Sequence, residues 1–166
     1  MSRQIVYSAV SEEALVDNIA AVFVADFKWF LDELYPGQDL QDFVERALGQ
    51  VLGINAPFMA LAPVRNASVE SEDGHYLREA LRVDLLMGVI ADSPDTVTRM
   101  IQRYMRTGEA VLRAANKDEL FGTVNRDNTF GFSLDCEHVY QPDIRTNQVQ
   151  FFRNATLQIT VNIHER

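Results

Sequence analysis

The chain has 166 residues, with 15 Lys and Arg against 24 Asp and Glu, for a formal net charge of −9. That length suffices for one domain with a proper hydrophobic core, and a hydrophobic content of 47% argues against disorder. The acidic balance speaks against reading nucleic acid through a basic patch, and no apolar run approaches the roughly 20 residues of a membrane span.

The opening Met1-Ser-Arg-Gln-Ile-Val-Tyr7 has too short an apolar stretch for a secretory signal. The expectation is a soluble protein made in a cytoplasm, with residues 1–9 as an N-terminal arm. Ser11 followed by Glu12 and Glu13 is a good helix start, a capping hydroxyl with acids near the positive end of the dipole. Leu15, Ile19, Val22, Phe23, Phe27, Phe30, Leu31 and Leu34 recur at helical steps, and Pro36-Gly37 ends the run. Trp29 stands among these aromatics, and the helix looks apolar over more than one face, so some of that surface is available for a subunit contact. Asp39 is positioned to cap a second, shorter helix with Leu40, Phe43, Val44, Ala47 and Leu48 inward and Gly49 as its stop. Residues 10–49 thus read as a helical N-terminal part.

Residues 57–163 read as a sheet with one crossover helix. Phe58 to Leu61, between Pro57 and Pro63, predict a first strand at a sheet edge, where proline is tolerated. The polar stretch Arg65 to His75 is too long for a tight hairpin and reads as a loop. Over residues 77–90, Leu81, Val83, Leu85, Met87 and Val89 alternate with Arg78, Arg82 and Asp84, the period of two that marks a strand with one apolar face. Ser93-Pro94-Asp95 opens a helix with cap, proline and acid in order. Its inner stripe is Val97, Met100, Ile101, Tyr104, Met105, Val111, Leu112 and Ala115. Arg99, Arg103, Arg106 and Arg113 line its outer surface. Asn116 to Asn128 is a polar loop. Thr129–Tyr140 and Gln150–Ile163 close the chain as two more alternating strands, joined by a turn at Pro142-Asp143 and Thr146-Asn147. The fold expected is therefore a single α+β domain, a mainly antiparallel four-stranded sheet with helices packed on one face. The strand Gln150–Ile163 spans roughly 46 Å at about 3.3 Å per residue. A 22-residue helix covers roughly 33 Å, so strand ends should project beyond the helices.

Chemistry-bearing groups are sparse. His75, His138 and His164 lie in separate elements without metal-ligand spacing; His138 sits in an apolar register and reads as a core histidine. Cys136, the only cysteine, excludes an internal disulfide and falls in register with Phe132, Leu134 and Tyr140, the setting of a core thiol. Glu70, Glu72, Asp73 and His75 match no calcium loop. Asp135 and Glu137 alternate as exposed strand residues rather than as a catalytic pair. The arginine row is of a type that contacts phosphate, but Asp95 and Glu109 border it, and a solvated helix face is the plainer reading. The sequons Asn66-Ala-Ser68 and Asn154-Ala-Thr156 are chance matches without a secretory route. No catalytic, cofactor or metal site is assigned.

The order of elements resembles a known family. A helix leads to the Pro-flanked strand Pro57-Phe-Met-Ala-Leu-Ala-Pro63, a long polar excursion, and the Arg-studded strand Tyr76-Leu-Arg-Glu-Ala-Leu-Arg-Val-Asp-Leu85. The helix at Ser93-Pro94-Asp95 follows, and two strands ending in Leu157-Gln-Ile-Thr-Val-Asn-Ile163 close the chain. This pattern, over about residues 10–163, is similar to the tail terminator proteins of long-tailed bacteriophages, typified by the lambda tail terminator, and more loosely to other head–tail neck proteins. The resemblance implies a structural virion protein, not an enzyme, assembled in the host bacterial cytoplasm. It would form a homo-oligomeric ring, usually a hexamer, at the head-proximal end of the tail tube. There it would stop growth of the tube protein and dock the tail to the neck or head connector. Genome DNA would pass through without specific binding, repelled by an acidic wall. The two polar excursions are the expected working surfaces, with Glu70, Glu72, Asp73, His75, Arg126 and Asp127 as candidates for contact with a neighbouring subunit or the tube. Another neck or head-completion component, a host adaptor protein, and a small α+β ligand-binding or enzyme domain stand as alternatives.

Overall fold

The computed structural model describes residues 12–41, 44–47, 57–64, 69–72, 76–115, 129–143 and 150–165, with side chains at 13–41, 57–62, 82–115 and 150–159. The class is α+β. Two helices, α1 (Glu12–Leu34) and α2 (Pro94–Ala114), accompany six strands: β1 (Val44–Ala47), β2 (Phe58–Val64), β3 (Val69–Glu72), β4 (Tyr76–Ala91), β5 (Thr129–Asp143) and β6 (Gln150–Glu165). They form one six-stranded sheet in the order β1-β2-β4-β6-β5, with β3 also paired to β4. The sequence reading expected a four-stranded sheet; the sheet among the described residues has six strands. The β1–β2 pairing is parallel; the other pairings are antiparallel.

The helices cover the face of the sheet carrying Val83, Leu85, Met87 and Val89 from β4 and Ala155, Leu157 and Ile159 from β6, all buried. Register explains the layer: Leu85 pairs with Leu61 on one side and Leu157 on the other, so one rung delivers three apolar side chains to the same face. From α1, Leu15, Val16, Ile19, Phe23, Phe27 and Leu31 pack down onto it. The α2 stripe is as expected except at Ala115, which follows the helix as its C-cap and is half-buried, and Thr107 and Gly108 join it. A Cβ on Gly108 would stand 2.9 Å from Met87 Cε and 3.4 Å from the Phe23 ring. Glycine there lets α2 approach both the sheet and α1. Leu34, expected inward, is 41% exposed because it closes the last turn of α1.

Helix termini follow the local code. Ser93 Oγ accepts from Thr96 N at 3.1 Å, with proline in the first turn. After α1, Gln38 N donates to Tyr35 O at 3.1 Å and Gly37 has φ 81°. Tyr35-Pro36-Gly37-Gln38 therefore has the signature of a type II turn, which needs proline second and a left-handed residue third.

Four expectations require correction. The segment expected as a second helix from Asp39 to Gly49 instead holds β1, and residues 38–41 carry no helix. Tertiary bonds hold that segment open: Gln41 N donates to Tyr104 Oη at 3.1 Å, and Tyr104 Oη donates to Asp39 O at 3.0 Å. Strand β2 is internal rather than an edge; β1 pairs only with Phe58 to Leu61, so Pro63 lies beyond β1, where the missing N–H is tolerated. The excursion Arg65–His75, expected as a loop, contains β3, whose Glu72 pairs with Tyr76 of β4, so β3 and β4 form an antiparallel pair. Finally, β5 runs on through Pro142 and Asp143, paired with Phe151 and Gln150; proline is at home in this outermost strand.

The second face of the sheet also carries apolar surface. Phe58 is only 5% exposed, and its ring lies 6.3 Å from that of Phe152.

Candidate functional site

A shallow concavity lies on the outside of α2. Arg99, Arg103 and Arg106 with Gln102 and Met105 form its floor and walls, Glu109 stands at one end, and Tyr35 closes it from the turn after α1; its volume is about 420 Å³. Residues separated by three, four and seven positions share one helix face, so the arginine spacing alone sets three guanidinium groups along one side of α2.

The three arginines differ in their engagement. Arg103 is half-buried, its Nη1 donates to Gln38 Oε1 at 2.8 Å, and its guanidinium lies 5.4 Å above the Tyr35 ring. Arg99 and Arg106 are exposed, and neither forms an ion pair among the described residues. Glu109 is taken up by Arg113, whose Nη2 stands 2.7 Å from Glu109 Oε1. A row of like charges on one helix face costs stability unless an anion neutralises it, and in this acidic chain the groove concentrates positive charge.

Behind the groove, the 35–41 segment is strapped to α2 and β4. Tyr104 is fully buried, and its hydroxyl joins the backbone of Asp39 and Gln41. Burial holds its pKa above the ordinary tyrosine value of 10.0, opposed by the hydrogen bond from Gln41 and assisted by the nearby Asp39 charge. The Gln41 side chain continues the strap: Nε2 donates to Ile90 O at 2.6 Å and Oε1 accepts from Ile90 N at 3.3 Å.

The candidates expected from sequence fall elsewhere. Glu70 and Glu72 lie in β3, opposite Arg78 and Tyr76. Arg78 is in turn paired with His164, and His164 with Thr129, so Glu70, Arg78, His164 and Thr129 occupy one rung across four strands. Asp73, His75, Arg126 and Asp127 lie outside the described residues. His138 pairs with Ala155 and Cys136 with Leu157 in register. Among the described residues no three His, Cys, Asp or Glu side chains gather as a metal-binding group, and no helix is long and apolar enough to cross a membrane.

Sequence reading placed the arginine row on the outer face of α2 but missed the contributions of Tyr35, Gln38 and Gln41. The one available signal was the turn dipeptide Pro36-Gly37, which folds the chain back toward α2. Comparison of the chain with protein-family models yields no match, and comparison with curated proteins yields none either.

Proposed function

We propose that this chain is a structural virion protein of a long-tailed phage, with a tail-terminator-like fold. It forms a ring at the head-proximal end of the tail tube, ends tube growth, and presents a docking surface to the neck or connector. The observation that carries this reading is the antiparallel ribbon β4-β6-β5, whose strands are 16, 16 and 15 residues long. At about 3.3 Å per residue the longest span roughly 53 Å, whereas the helix α2 spans roughly 32 Å. The helices lie over β2, β4 and β6, and among the described strands β5 forms the outer edge of the sheet. A long edge strand is a template for pairing with another chain, and sheet-edge pairing repeated head to tail closes a ring.

Within this role the β3–β4 pair, with Glu70 and Glu72, reaches beyond the part of β4 paired with β2 and serves as a contact arm toward the tube or a neighbouring subunit. Tube and neck proteins are the partners, the virion is the location, and the net charge of −9 favours passage of DNA without adhesion. The role is one of shape and assembly and asks for no catalysis.

Tail assembly provides the test. Tubes grown from the same genome's tube protein in the presence of this chain should stop at a uniform length and carry a ring at one end in electron micrographs. Tubes that grow on without bound protein would overturn the proposal. Rings that bind the head connector but not the tube would place the protein among the head-completion components instead.

A further inference from the structure

We infer that the arginine groove of α2 receives the outer flank of α1 from a second copy of this chain, forming a head-to-tail contact. The inference rests on the ring-forming role proposed above and names the surfaces that would meet. The α1 flank carries Asp26, Trp29 and Glu33, all exposed, with Trp29 at 60%. Trp29 follows Phe27 by two positions, which is roughly 160° away around the helix. Phe27 touches Tyr104 of α2 within the same copy, ring centroids 5.9 Å apart. Trp29 is therefore turned away from its own α2.

Charge and spacing match across the two surfaces. Asp26 and Glu33 are about two turns apart, about 10.5 Å along the axis, and so are Arg99 and Arg106. None of these four side chains has an ion-pair partner among the described residues. On α1 the neighbouring Lys28 is already committed to Asp32 at 2.7 Å. With the two helices antiparallel, Asp26 meets Arg106 and Glu33 meets Arg99. Trp29 then falls between them, opposite Arg103 and Tyr35. An indole face against a guanidinium is an attractive pairing, and exposed tryptophans and arginines are the residues around which interfaces concentrate their energy. A second copy is the favoured occupant because the acidic flank and the basic groove belong to the same chain on different elements. Such a contact is heterologous, and it closes a ring when its rotation permits.

A charge-exchange experiment tests the contact. Arg99→Glu with Arg106→Glu reverses the groove; Asp26→Arg with Glu33→Arg reverses the flank. Association, measured by analytical ultracentrifugation with and without tube protein, should weaken at least about tenfold in each double variant alone. In an equal mixture each reversed surface meets an opposite charge on the other variant, so assembly should recover. The milder Arg99→Gln with Arg106→Gln should show an intermediate loss. All four positions are exposed, so circular dichroism melting should match the wild type and separate lost assembly from lost folding. Variants that assemble like the wild type, or a mixture that stays dissociated, would overturn this contact while leaving the ring reading standing. A wild-type chain that remains monomeric even with tube protein would overturn both.

Discussion

The side-chain amide of Gln41 pairs with the backbone of Ile90 much as a strand residue would, donating to its carbonyl at 2.6 Å and accepting from its N–H at 3.3 Å. Strand β2 begins at Phe58, opposite Gly88. Gln41 therefore satisfies the next backbone pair of β4, past the end of its neighbour. Replacing Gln41 with Ala should cost about 1–3 kcal/mol, because two partly buried peptide groups lose their partner. Gln41→Glu should cost at least as much, since a carboxylate has no proton to offer the Ile90 carbonyl. Urea unfolding of the variants measures both.

Tyr104 links the same segment to α2 and gives the fold a pH dependence. Its pKa is raised in the folded protein, chiefly by burial, so folding favours the neutral phenol. The stabilisation is complete below the unfolded value of about 10 and is lost as pH rises through the higher folded value. Tyr104→Phe should cost about 1–3 kcal/mol at neutral pH. It should also make the alkaline loss of stability shallower than in the wild type, as followed by melting temperature against pH. Equal alkaline slopes for the two proteins would contradict this assignment.

Gly88 is fixed by a close approach. A Cβ there would lie 2.2 to 2.8 Å from atoms of the Phe58 ring, and the ring itself is nearly buried. Gly88→Ala must displace the ring, with an overpacking cost of about 1–3 kcal/mol. Phe58→Leu in the same chain should recover part of that loss, and thermal unfolding of the single and double variants would show the coupling.

Much of the fold was legible where the signal is local. The Ser93-Pro94-Asp95 start, the alternation in β4 and β6, and the stop at Pro36-Gly37 each depend on a few neighbouring residues. β1 was not legible because Val44 to Ala47 owe their conformation to pairing with β2 and to the strap through Tyr104, contacts distant in sequence. For the same reason nothing in the local sequence marked Gly108 as the place where α2 meets Met87 and Phe23. The arginine row of the candidate groove could be read from spacing alone. Tyr35, which closes it, could not, since the turn that brings it over Arg103 sets a direction no periodicity records.

The β3–β4 pair offers a further test of the assembly role. Deleting residues 65–75 would remove β3 itself, so charge reversal is the cleaner probe. Glu70→Lys with Glu72→Lys should reduce incorporation into tails; because Glu70 stands opposite Arg78, the new like-charge pair should also lower stability by about 0.2–1 kcal/mol, which thermal melting of the variant measures. Tails completed normally by the double variant would remove these two residues from the working surface.

The central claim, that the chain acts by closing into a ring, is tested most directly by the mass of its assemblies. Mass photometry of the protein with its tail tube protein, checked by negative-stain images, should show one discrete closed species, a hexamer, alone or seated at a tube end. A protein that remains monomeric even with tube present would contradict the account.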